Sequence, residues 1–182
     1  MRRGCGDSAT YERLRADALR LLLQHEDPAE RLGPLCDALW DALSPRGLSW
    51  IGFYLAAAPS SNEMLLAARR DKPACSPIGL YGVCGQSHLE GAIRLVEDVA
   101  LLGDGYIACD PRDRSEIVLP VYRNGAAWGV LDADSHEVAC FGPSDIEGLS
   151  RVLRAGGLLD RDPPVRADRL PGADLHGGRG SL

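Results

Sequence analysis

Three of the six cysteines stand in loop-like settings rather than on apolar stripes: Lys72-Pro73-Ala74-Cys75, Gly82-Val83-Cys84-Gly85 and Ile107-Ala108-Cys109-Asp110. A single cysteine is most often a small hydrophobe filling a gap. Three in Gly- and Pro-rich segments occupy the kind of loop where reactive groups concentrate on a rigid scaffold. The other three fit gap-filling: Cys36 lies on a helical stripe, Cys140 adjoins Phe141, and Cys5 is in a polar, glycine-containing start. Loop thiols can attack as thiolates, oxidise to sulfenic acid and close to a disulfide, or they can bind metal. A structural zinc site usually shows a cysteine pair about two to four residues apart. Here the closest loop pair, Cys75 and Cys84, is nine positions apart, and His88 or His136 would have to complete the set. The spacing gives no reason to expect zinc.

The second candidate group is acidic. Glu116 opens one strand-like run, and Asp132 and Asp134 close the next. Side chains two apart on a strand share a face, and Glu116 is expected to face Asp132 across the hairpin if the register about Asn124-Gly125 holds. A solvated acidic face is the ordinary reading of scattered carboxylates. Against it, the same runs are otherwise apolar (Ile117, Val118, Leu119; Val130, Leu131). A carboxylate cluster binds an ammonium group, and mutual repulsion raises one member's pKa until it is a proton donor near neutral pH. Trp50 and Tyr54 share a face of an earlier strand, with Gly52 between them leaving room. Core packing is the default for such a pair; the alternative is one wall of a pocket against a small apolar group.

These residues need elements to hold them. Residues 1–9 are expected to fray. A helix starts at Thr10, with Tyr11, Leu14, Ala18, Leu21 and Leu22 on its stripe. Asp27-Pro28-Ala29-Glu30 reads as N-cap, proline at the first helical position and acidic first turn, although Gly33-Pro34 suggests that regular helix begins only at Pro34. Strands are expected over Leu48–Leu55 and Glu63–Ala68, loop over Arg69–Gly85, a short helix over Gly85–Gly91 and a short strand over Ala92–Val96. Asn124-Gly125 is a strong hairpin signal between strands Glu116–Arg123 and Ala126–Asp134. A last helix runs from Pro143, with Ile146, Leu149 and Leu153 inward, to Gly156-Gly157. From Asp160 to Leu182 few large apolar residues remain, so the tail is expected to be disordered. Helices at both ends with antiparallel strands between them indicate an α+β fold, helices on one sheet face.

Composition excludes other classes. Over 182 residues, 45% hydrophobic and 25% charged is ordinary globular usage, not that of a disordered or fibrous chain. Asp+Glu 26 against Lys+Arg 20 leaves a formal charge of −6, with no basic footprint for nucleic acid. No apolar run approaches the ~20 residues of a membrane span, and the N-terminus lacks a secretory signal pattern. A cytoplasmic, reducing location is therefore expected.

Taken together, Trp50-Ile51-Gly52-Phe53-Tyr54, the three cysteine motifs, Ser115-Glu116-Ile117-Val118-Leu119-Pro120 and Gly129-Val130-Leu131-Asp132-Ala133-Asp134-Ser135 resemble the free methionine-(R)-sulfoxide reductases, which are single GAF domains. The resemblance covers residues 10–159. It implies a GAF-like fold with a central antiparallel sheet, helices on one face and a small ligand pocket on the other. It also implies reduction of free L-methionine-(R)-sulfoxide. By that likeness Cys109 is the attacking thiol that becomes sulfenic acid, Cys75 the principal resolving cysteine and Cys84 an accessory one. Glu116, Asp132 and Asp134 hold the amino acid and protonate the sulfoxide oxygen, and Trp50 and Tyr54 line the pocket near the substrate methyl. Thioredoxin is the implied reductant, no metal or organic cofactor is implied, and GAF domains often form homodimers. The chain departs from the family pattern in having one residue fewer between Cys75 and Cys84, and Tyr106 where histidine is usual. A non-catalytic GAF sensor of a small molecule or of redox state is the competing reading. It leaves the loop thiols and carboxylates without a task.

Overall fold

Strand alternation divides this protein into a helix-packed side and a pocket side. The computed structural model describes residues 4–58, 61–106 and 109–167. Helices α1 (Ser8–Gln24) and α2 (Pro28–Leu43) precede strands β1 (Leu48–Ala56), β2 (Glu63–Arg70) and the two-residue β3 (Ile78–Gly79). Helix α3 (Val83–Glu90), β4 (Ile93–Val96) and a 3-10 segment (Val99–Gly105) follow. The hairpin β5 (Ser115–Arg123) and β6 (Ala126–Ser135), helix α4 (Pro143–Ala155) and β7 (Val165–Ala167) complete the chain. The strands form one sheet in the order β3-β2-β1-β6-β5-β4-β7, antiparallel except for the β4–β7 edge pair.

Alternate residues sort to the two faces as the pleat requires. Ile51 and Phe53 of β1, Ile117 and Leu119 of β5, and Leu131 and Ala133 of β6 pack with α1, α2 and α4 in the main core. Trp50, Tyr54, Val118 and Val130 point the other way, into a smaller cluster with Val83, Cys84 and Val96. Helix α3, Val99 and Leu102 of the 3-10 segment, and Ala74, Ile78 and Leu80 cover part of that second face.

The hairpin turn is where sequence indicated, with Asn124 at φ 52 and Gly125 at φ 78, both left-handed as the turn demands. Its register is not the expected one. Pairing starts as Arg123↔Ala126 and Tyr122↔Ala127, then shifts to Val121↔Gly129, so Trp128 is an extra residue in β6. Continued without that bulge, the turn would set Glu116 opposite Ala133 and send it to the helix-packed side, away from Asp132 and Asp134. With it, Glu116 pairs with Asp134 and Val118 with Asp132. A single bulge thus gathers all three carboxylates on the open face.

Three other expectations are corrected. Helix α2 runs unbroken through Pro34. The proline costs one backbone hydrogen bond, while Leu32, Leu35, Cys36, Leu39 and Leu43 bury a continuous stripe across it. The start of the chain is not frayed from residue 4 onward. Asp7 caps α1, and Cys5 and Gly6 donate backbone hydrogen bonds to the buried Asp145 carboxylate (3.1 and 2.8 Å). Nor is the tail free from residue 160, because Ile93 donates to the Pro164 carbonyl (2.9 Å) and β7 pairs alongside β4. The Arg161 guanidinium meanwhile lies 4.3 Å over the Tyr122 ring. Residues 1–3 and 168–182, on which the remainder of the two disorder expectations falls, lie outside the described residues, as do Ile107 and Ala108.

Candidate active site

The open face carries a cavity of about 270 Å³, lined by Trp50, Tyr54, Cys75, Cys84, Cys109, Glu116, Asp132 and Asp134. The structure therefore brings all eight sequence-indicated residues to one place, in two sets.

The first set forms the floor. Glu116, Asp132 and Asp134 are each under 10% exposed, on neighbouring strands. On the flanks, Glu116 has Val96 of β4, Asp132 has Gly52 and Asp134 has Trp50. Gly52 is required here: a Cβ would lie 2.3 Å from the Trp50 indole. Burial is the largest cause of raised pKa in all three carboxyls, and the Coulomb field of Asp132 adds to it for Glu116 and Asp134. Glu116 and Asp134 are held well above the usual carboxylate range, and Asp132 is pushed up to about 7. Charges this close in a dry pocket cannot all ionise. Glu116 Oε2 and Asp132 Oδ1 are enclosed with no hydrogen-bond partner. The floor is therefore a proton-holding site short of donors, the electrostatic complement of an ammonium group.

Cys84 belongs to this floor and not to the other two loop cysteines. It sits in the first turn of α3, buried, its sulfur within 4.8 Å of an Asp132 oxygen, and burial holds its thiol far above the usual range.

The second set is the rim. Cys75 and Cys109 are exposed, line the same cavity and stand close enough for the Cys75 thiol to influence that of Cys109. Partial burial and that proximity push the Cys109 thiol up to about 12. Three polar contacts bring the two loops together. Trp50 Nε1 donates to the Lys72 carbonyl (3.0 Å) and Tyr54 Oη to the Cys75 carbonyl (2.8 Å), so the aromatic wall grips the Cys75 loop by its backbone. Lys72 in turn pairs with Asp110, beside Cys109. The Trp50 and Tyr54 rings, 6.0 Å apart, form one wall below.

Sequence reasoning passed over several lining residues. Lys72 lay inside a quoted motif without a task. Asp113 is a fourth buried carboxyl at 4% exposure, near His136 (3.6 Å), and its field is among the causes that raise Glu116, Asp132 and Asp134. No periodicity marks it, since it stands in a loop that folds back over the pocket. Tyr106, noted only as a departure, lines the cavity with Glu116 and partly offsets the rise in its pKa.

No family model matches the chain. Individual proteins do. The structure of free methionine-R-sulfoxide reductase from Neisseria meningitidis in complex with its substrate is 30% identical, with a TM-score of 0.73 over 85% of this chain and 92% of that one. The chain belongs to the free methionine-(R)-sulfoxide reductase family. The family's curated Escherichia coli K12 protein, named free methionine-R-sulfoxide reductase, is 37% identical over 108 residues, which cover 58% of this chain and 62% of that protein, less than two thirds of its length. A putative GAF sensor protein from Burkholderia vietnamiensis is 31% identical with a TM-score of 0.72, covering 82% of this chain and 92% of that one. The free methionine-(R)-sulfoxide reductase family thus accounts for the α+β, GAF-like arrangement: a central sheet, helices on one face, a pocket on the other.

Proposed function

We propose that this chain reduces free L-methionine-(R)-sulfoxide to methionine. The observation that carries the reading is the placement of two exposed thiols, Cys75 and Cys109, at one cavity above a floor of three buried, proton-holding carboxyls. The amino acid's ammonium meets Asp132 and Asp134, and its methyl packs against Trp50 and Tyr54. Ammonium binding also offsets the Asp132 field, one of the causes that keep Cys109 protonated, and so favours the thiolate that attack requires.

In the first step the Cys109 sulfur attacks the sulfoxide sulfur while Glu116 protonates the oxygen. In the resulting adduct the hydroxyl passes from the substrate sulfur to the Cys109 sulfur as the new S–S bond breaks, so methionine leaves with its sulfur reduced and Cys109 holds the oxygen as sulfenic acid. In the second, Cys75 attacks the Cys109 sulfur, a disulfide forms and the oxygen departs as water. A dithiol protein of the thioredoxin class then restores both thiols by exchange. Cys84, buried against Asp132 beneath the carboxyls, is placed for recycling only after rearrangement, so resolution falls to Cys75. Six free cysteines and a thiol-dependent cycle fit a reducing cytoplasm. No helix among the described residues is long and apolar enough to cross a membrane.

The test separates steps as well as substrates. Wild-type chain with a dithiol should turn over the R epimer of free methionine sulfoxide and neither the S epimer nor sulfoxide within peptides. Cys109→Ser should release no methionine even in a single turnover. Cys75→Ser should release up to about one methionine per chain and stall as sulfenic acid at Cys109. Binding of the R epimer without turnover would favour the GAF sensor reading, and a full burst from Cys109→Ser would displace Cys109 as nucleophile.

A further inference from the structure

Cys84, Glu116 and Asp132 lie 32 and 16 positions apart in sequence and come from three elements, α3, β5 and β6. The fold nevertheless sets the Cys84 sulfur and one oxygen of each acid within 4.8 Å of one another. All three residues are buried, and Glu116 Oε2 and Asp132 Oδ1 have no hydrogen-bond partner. This is a set of one soft and two hard donors, closed on the protein side and open to the cavity on the other. Magnesium and calcium favour larger all-oxygen shells, whereas a thiolate with carboxylates suits a borderline divalent cation that tolerates a few ligands and one open position.

We propose that Cys84, Glu116 and Asp132 form a reversible inhibitory site for a thiophilic divalent cation, zinc by its donor set, seated where the substrate's ammonium would sit. What it inhibits rests on the function proposed above; the metal site itself does not. Binding exchanges the Cys84 thiol proton, together with whatever protons Glu116 and Asp132 hold, for the metal and oxidises nothing. A second cluster makes the contrast. Asp110, Asp113 and His136 also bring ligand atoms within 4.8 Å, but Asp110 is already paired with Lys72 and Arg112, so a cation there must displace two others. Among the described residues no ion pair involves Glu116 or Asp132. The floor lacks positive charge, and the rim does not.

The test uses the full chain, reduced and then freed of thiol and chelator. Cobalt(II) is the probe, because thiolate ligation gives a charge-transfer band in the near ultraviolet, and zinc should bleach it. Expected are a band saturating at about one ion per chain and zinc binding roughly tenfold or more weaker in Asp132→Asn. The band should be lost in Cys84→Ser, absent with magnesium, and retained when Cys75 and Cys109 are both replaced by serine. That double variant keeps the test decisive even if Cys84→Ser folds poorly. Loss of the band in the double variant, its persistence in Cys84→Ser, or no band at all overturns the site. Single-turnover methionine release from pre-reduced chain should stop with zinc and return with EDTA. Release measured in EDTA throughout reports on the reductase reading alone, so either proposal can fail without the other.

Discussion

Replacing Asp132 by asparagine should make the empty protein more stable, and only above a definable pH. Asp132 is 7% exposed, and its carboxyl is pushed from 3.8 up to about 7, by burial first. Because the folded chain holds this proton more tightly than the unfolded chain, the stability it contributes is fully present below about pH 4. That contribution is lost as pH rises through about 7. A difference of about three pKa units corresponds to ~4 kcal/mol of destabilisation at pH 8. Asp132→Asn keeps the shape, removes the charge, and relieves the Coulomb field on Glu116 and Asp134, which acts in the same direction. The variant should therefore match the parent near pH 4 and exceed it at pH 8, by on the order of 10 °C in Tm. Denaturant titrations of both chains at pH 4.5, 6 and 8 (about the span of the linkage) give the difference directly. A difference that does not change with pH would refute the linkage. A variant less stable than the parent at pH 8 would mean that the floor is solvated and its charges are already compensated.

Three shorter predictions address other links. Glu116→Gln should fold normally yet lose ~100-fold or more in turnover, since it keeps the shape and discards the proton; wild-type rates would return the floor to a binding role alone. Asp145→Ala should cost ~3–5 kcal/mol in denaturant titrations, because the buried carboxylate accepts from Cys5 N, Gly6 N, Tyr11 Oη and Gly142 N, while activity per folded molecule is unchanged. Lys72→Ala removes the tie to Asp110 between the two cysteine loops and should slow disulfide closure a few-fold, about 1 kcal/mol, in acid-quenched mass spectrometry; unaltered closure would mean that the Trp50 and Tyr54 contacts suffice.

The two faces of the sheet were legible because side chains alternate between faces with a period of two. Ile51, Phe53, Ile117, Leu119 and Leu131 had to share the helix-packed side, which left Trp50, Tyr54 and the acids on the other. Register was not legible to one residue, and one residue decides the face. Asn124-Gly125 specifies a turn, but the bulge at Trp128 is a choice between two ladders that differ mainly in which side chains they bury. Nothing local in Ala126-Ala127-Trp128 announces it. The approach of Cys75 to Cys109 was implied by the family resemblance alone and not by any periodicity. It depends on polar tips, the Trp50 indole N–H, the Tyr54 hydroxyl and the Lys72 ammonium, reaching backbone and carboxylate groups 21 to 38 positions away, and such contacts leave no periodic trace. Cys84 shows where the two kinds of reasoning part. Its sequence setting matched that of the other loop cysteines, yet its place at the start of α3 buries it against Asp132. The same fold that leaves two thiols exposed at the rim thus buries the third one against the acids. A stability-driven sequence would have put apolar residues at 84, 116, 132 and 134. Their polar identity where the local rules ask for hydrocarbon is the mark of a site selected for what it binds.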